Sequence, residues 1–128
     1  MAYRTPIAKV RGLGAARSGL QHWKMQRLTA ISNVLLVLWF MFSAMALSGS
    51  GYDQVRAWLA SPVTASLVVL LIISTFYHAR LGLQVVVEDY VHHEGARIAS
   101  LVAIALIVLA LAVACIVAVL SVAIGGRG

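Results

Sequence analysis

Charge is scarce in this sequence. Of 128 residues only 11% are charged, against about 25% in soluble domains. Hydrophobic residues make up 62%, and the mean hydropathy is +0.94. Acids are scarcest of all: Asp53, Glu88, Asp89 and Glu94 are the full set, so none precedes position 53. Cys115 is the single cysteine, which excludes an internal disulfide, and its place in an apolar run reads as packing rather than thiol chemistry. No internal repeat is visible. A signal peptide is not expected either, because the first apolar run starts too late and is too long. The acid-poor N-terminus has the composition of a transit peptide, yet it carries a motif of its own.

Long apolar runs fill the space that these absences leave. A helix needs about 20 apolar residues to cross a core of about 30 Å. Three stretches are that long, at 28–47, 62–87 and 98–124. The expected fold is therefore all-α, an integral membrane protein with three transmembrane helices. A cytoplasmic arm and interfacial segment would occupy 1–27, the three-helix anchor 28–124, and a tail 125–128. Residues 1–17 lack periodicity and read as an extended arm; 18–27 read as an interfacial helix or the first turns of the first span. Ser48-Gly49-Ser50-Gly51 ends that span, Tyr52 to Leu59 lies along the outer surface, and Ser61-Pro62 starts the second span with a serine cap. His92-His93-Glu94-Gly95 is a turn, its adjacent histidines pointing apart, and Ala96-Arg97 opens the third. A chain this small has no room for a separate soluble domain.

The net charge of +6 is uneven. Arg4, Lys9, Arg11, Arg17, Lys24 and Arg27 all precede the first span. A short basic segment against a span marks the cytoplasmic side rather than a nucleic-acid site. The N-terminus and the 89–97 connection are then cytoplasmic, and the 48–61 loop and C-terminus lie outside.

Ionisable residues within a span cost roughly 2.5–3.5 kcal/mol each to insert, so they have a partner or a task. The second span holds His78 and Arg80 and ends at Asp89-Tyr90. His78 and Asp89 lie eleven positions apart, about three turns, so both project from nearly one face, roughly 16 Å apart along the axis. His78 is open to two readings: an imidazole bonded between helices, with Ser74 one turn away as a possible partner, or an axial haem ligand. Gly82, one turn on, would let a flat macrocycle approach. The other apolar stretches contain no histidine, so a second axial histidine has to come from another chain. Asp89 and Tyr90 are by themselves a cap and an interface anchor, or a proton-handling pair. Glu88 reads as surface charge. Arg80 lies on a different face from His78, and Arg27 and His22 at the inner mouth are explained by membrane anchoring. Thr29, Ser32 and Asn33 are small polar groups of the kind that bond to neighbouring helices. The third span has no charged residue or histidine, which speaks against a small ion-translocating subunit.

Taken together, His78-Ala79-Arg80-Leu81-Gly82-Leu83-Gln84, Asp89-Tyr90-Val91 and the earlier Ser18-Gly19-Leu20-Gln21-His22-Trp23, Gln26-Arg27-Leu28-Thr29-Ala30 resemble the small hydrophobic membrane-anchor subunits of succinate dehydrogenase (respiratory complex II). The arm from Tyr3-Arg4-Thr5-Pro6 to Arg11-Gly12-Leu13-Gly14 resembles the alphaproteobacterial branch. The resemblance implies a helix bundle with a sister cytochrome b anchor subunit. In it, His78 is one axial ligand of a shared haem b, and Tyr90 and Asp89 belong to the ubiquinone site. Arg27 and His22 are candidate contacts of the haem propionates or the quinone pocket. FAD and iron–sulfur clusters would sit in a flavoprotein and an iron–sulfur subunit, the complex would lie in the bacterial inner membrane rather than the mitochondrial one, and this chain alone would catalyse nothing. A fumarate reductase anchor oxidising quinol and a cofactor-free structural subunit are the alternatives.

Overall fold

A computed structural model of the protein describes residues 14–125, and among them every regular element is helical. We label these α1 (Gly14–Ala46), α2 (Tyr52–Ala60), α3 (Pro62–Tyr90) and α4 (Glu94–Gly125). Three helices are long and apolar enough to cross a membrane: Gly19–Ala46, Pro62–Tyr90 and Glu94–Gly125. All three expected spans are present, each longer than its apolar run.

α1 is one unbroken helix of 33 residues, about 50 Å at 1.5 Å per residue. Residues 14–17, expected as part of an extended arm, are helical; nothing from Gly14 to Ala46 breaks the helix, and Ala15-Ala16 favours it. The motif at Tyr3 to Leu13 lies outside the described residues. The turn after α1 contains Gly49, whose φ of +83° is the left-handed conformation that glycine adopts without strain. Pro62 takes the first position of α3 as expected, but Ser61 makes no side-chain cap bond. The opening of α4 also shifts: Glu94 is already helical, and the Ala96 amide donates to His93 Nδ1 at 3.4 Å, so the histidine turn is the helix start.

α3 packs against both α1 and α4, while α2 crosses the loop end of the pair and touches α3 and α4. The α1–α3 seam is antiparallel, with Thr29 opposite His78 and Asn33 opposite Thr75. On α1 its stripe is His22, Met25, Thr29, Ser32 and Leu36; facing it on α3 are Ser74, His78 and Leu81. Steps of three and four are the spacing of shallow-angle helix packing. Span serines off the seam satisfy themselves: Ser43, Ser66 and Ser121 each donate to the carbonyl four residues back. The outer end is pinned by aromatic and polar contacts. Trp58 stacks on Trp39 at 5.9 Å and meets Phe40 at 6.4 Å, and Arg56 donates to the Gly125 carbonyl at the end of α4. Tyr52, at the start of the same helix, remains exposed. Cys115 faces outward rather than into a core.

Replacing Trp58 with alanine removes that stack. Trp58→Ala is expected to lower the stability of the detergent-solubilised protein by about 1–3 kcal/mol, read from thermal unfolding, and Trp58→Phe should recover most of it.

Candidate functional site

Thr29 and His78 meet inside the seam. Thr29 Oγ1 is 3.0 Å from His78 Nδ1. The same oxygen lies 2.8 Å from the Met25 carbonyl and 3.1 Å from the Gln26 carbonyl. A hydroxyl has one hydrogen, and a carbonyl can only accept. The hydroxyl therefore donates back along α1, and the short contact to the imidazole is met when His78 Nδ1–H donates to Oγ1. Nε2 then keeps its lone pair and has no bond from any described residue. Thr29 is only 8% exposed, so water does not compete for this bond.

Ser74 plays a different part from the one its position suggested. Its hydroxyl reaches the Thr29 carbonyl at 3.5 Å, a weak bond between backbone and side chain, and leaves the imidazole to Thr29. On the same side of α3, a Cβ added at Gly82 would meet nothing within 4 Å. The surface beside the imidazole is therefore open one turn toward the C-terminus.

Two recesses flank the contact of Thr29 with His78 along the seam. An apolar one of about 560 Å³ lies at the level of Thr29 and Ser74 and extends from Met25 and Tyr77 to Leu35 and Leu70. A smaller one of about 240 Å³ shares Met25 and Tyr77 and adds Gln21, His22, Arg80 and Gln84. His22 Nε2 and Gln26 Oε1 are shielded from solvent yet have no hydrogen-bond partner among the described residues. A buried polar atom left unmet costs about 1–3 kcal/mol. Arg80 belongs to this recess and not to the His78 stripe. Arg27 does not join His22: five positions on, it is exposed, with its guanidinium 5.2 Å from the Trp23 ring centre. The structure thus groups His22 with Arg80 and Gln84, and separates Arg27.

Asp89 and Tyr90 form the last turn of α3 and are exposed, Tyr90 at 79%. Glu88 is held by Gln84 Nε2 at 2.8 Å. Two carboxylates in the last turn face the negative end of the helix dipole, where acids cost rather than contribute stability. Their placement follows something other than helix stability. Because α3 is continuous from His78 to Asp89, the two groups do share one face.

Comparison with known proteins bears on the chain as a whole. The model of the succinate dehydrogenase/fumarate reductase transmembrane subunits matches residues 1–119. The chain belongs to that family. A relative named succinate dehydrogenase hydrophobic membrane anchor subunit, from Rickettsia bellii, is 37% identical over 91% of this chain and 94% of its own length. A protein of the same name from Paracoccus denitrificans is 28% identical over 80% of this chain and 78% of its own. A succinate dehydrogenase membrane anchor subunit from Reclinomonas americana is 33% identical over 66% of this chain and 73% of its own. The alphaproteobacterial resemblance is borne out by the Rickettsia and Paracoccus relatives.

Within this family member, sequence reasoning placed His78, Asp89 and Tyr90 on one helix but missed the partner of His78. Thr29 lies 49 positions away, and two signals pointed to it: a small polar side chain of the kind that bonds between helices, and its place in His22, Thr29 and Leu36, which recur every seven residues on one face.

Proposed function

We propose that this chain is the membrane-anchor subunit of a succinate:ubiquinone oxidoreductase, sharing a haem b with a sister anchor subunit and forming part of the ubiquinone site. The observation that carries the proposal is the His78 ring, held in the middle of a span with Nδ1 bonded to Thr29 and Nε2 without a bond from any described residue. The residues present fit a haem. A neutral imidazole presenting one lone pair is an axial ligand, and Gly82 leaves open surface beside it. Only one such ligand is offered: His22 lies seven residues, roughly 10 Å, from the level of Thr29 and His78, so the second ligand belongs to the sister subunit. His22, with its unmet Nε2, and Arg80 in the same recess suit a carboxylate at the macrocycle edge better than Arg27 does. When bound, the haem supplies a one-electron store at the depth of His78.

Ubiquinone takes up two electrons and two protons at the wet boundary, where α3 ends. There the Tyr90 phenol donates a hydrogen bond to a quinone carbonyl and stabilises negative charge as it develops. Asp89, one residue away and open to water, passes protons. The electrons come from succinate through the flavin and iron–sulfur clusters of soluble partner subunits. The cofactor-free alternative leaves the Nε2 lone pair without use, and an ion pathway finds no charged group along the apolar face of α4.

A purified complex is expected to show low-spin b-type bands in the reduced-minus-oxidised spectrum, lost or shifted in His78→Leu; an unchanged spectrum in that variant removes His78 as ligand. Tyr90→Phe is expected to slow quinone reduction at least tenfold, to roughly the extent of one lost stabilising donor, while succinate oxidation with an artificial acceptor continues. Equal loss of both activities speaks against the quinone role. The basic flank of α1 orients the N-terminus to the cytoplasm and the C-terminus to the periplasm. In a Cys115→Ala background, Asp53→Cys should react with an impermeant maleimide in intact spheroplasts, and Glu94→Cys only after permeabilisation.

A further inference from the structure

We infer that Thr29 is a positioning residue for the haem ligand: its hydroxyl selects the tautomer of His78, fixes the ring plane and sets how strongly Nε2 donates. The inference rests on the haem reading above and deepens it by assigning a role to a residue on a different helix.

Hydrogen counting decides the tautomer. Thr29 Oγ1 has three neighbours within hydrogen-bond reach, namely His78 Nδ1 and the carbonyls of Met25 and Gln26. The tautomer with hydrogen on Nε2 would require the single hydroxyl hydrogen to turn to Nδ1 and abandon both carbonyls. The tautomer with hydrogen on Nδ1 satisfies all the contacts at once. One extra bond of ordinary strength, shielded from water, biases the ring about fivefold toward the form whose Nε2 can ligate. Histidines that bind metals characteristically donate their other N–H to an acceptor, which orients the ring and raises its basicity. Here the acceptor is not a carboxylate or a carbonyl but a hydroxyl already polarised by giving its own hydrogen to the α1 backbone. Ser74, one turn before His78 on α3, adds a weak bond to the Thr29 carbonyl. Thr29 and Ser74 are each 8% exposed, among the most buried polar side chains described, so the bonds between them are shielded from water.

Redox behaviour is affected in turn. An acceptor at Nδ1–H pushes electron density toward Nε2 and favours the more highly charged state of the metal. Removing the acceptor should therefore raise the midpoint potential and free the ring to rotate.

The test uses the full complex in three forms: wild type, Thr29→Val, which keeps shape and loses the hydroxyl, and Thr29→Ser, which keeps the hydroxyl. Redox titration of the b-type bands and the low-spin electron paramagnetic resonance line are read on each. Thr29→Val is expected to keep haem with a raised midpoint potential and a displaced line, and Thr29→Ser to return both to wild type. Haem loss in Thr29→Val with full recovery in Thr29→Ser also supports the role. Unchanged potential and line in Thr29→Val, or haem loss in both variants, overturns it. Failure of the underlying haem reading looks different: wild type then shows no b-type signal, or His78→Leu leaves the signal intact.

Discussion

Hydrocarbon offers no hydrogen bonds, and this requirement organises the chain. Every polar side chain placed within a span must find its partner in protein, at a cost of several kcal/mol if it fails. Ser43, Ser66 and Ser121 meet the requirement locally by bonding back along their own helices. Thr29, Ser74 and His78 meet it together, across the α1–α3 seam. A bond of this kind is specific where apolar packing is not. The seam slides over leucines and valines with little penalty, but a register shift of one turn would strand the imidazole. The polar bonds thus fix the alignment of two helices whose remaining contacts are largely interchangeable.

The same requirement explains why the fold was largely legible from sequence and the site only partly so. Span count and approximate boundaries follow from apolar runs, because the bilayer thickness sets a minimum length. The helical state of 14–17 was missed because the hydrophobic signal is silent there; α1 continues beyond the apolar run on backbone propensity alone. His78, Asp89 and Tyr90 stood out because polar residues at a span are expensive, and their common face follows from arithmetic on one helix. Ser74, a possible partner of the imidazole by its position, bonds the Thr29 carbonyl instead, for a related reason. One-turn spacing brings side chains near each other, but the partner across a seam depends on the rotation of a second helix, which no local pattern reports. Arg27 and His22 show the same limit: close in sequence, they leave α1 on different faces.

What the isolated chain leaves unmet is informative in its own right. Leu35 is 64% exposed and Phe42 68%, as expected of surfaces that meet lipid or other helices. Lipid can cover such side chains, but it cannot satisfy His22 Nε2 or Gln26 Oε1. Nor does lipid explain two carboxylates against the negative pole of α3. The unpartnered atoms and the two carboxylates both lie toward the end where α1 begins and α3 stops, and a membrane-anchor subunit works in a complex with further subunits.

The length of α1 has a mechanical corollary. A rod of 33 residues exceeds the hydrocarbon thickness by several turns, and no hinge separates the overhang from the Thr29 level. The azimuth of whatever the overhang carries is thereby geared to the ring plane of His78. Inserting a single residue between Arg27 and Leu28 would swing the overhang by about 100° relative to the stripe below. A shaft of this sort couples angular position across the membrane face, where a flexible tether of equal length would transmit only distance.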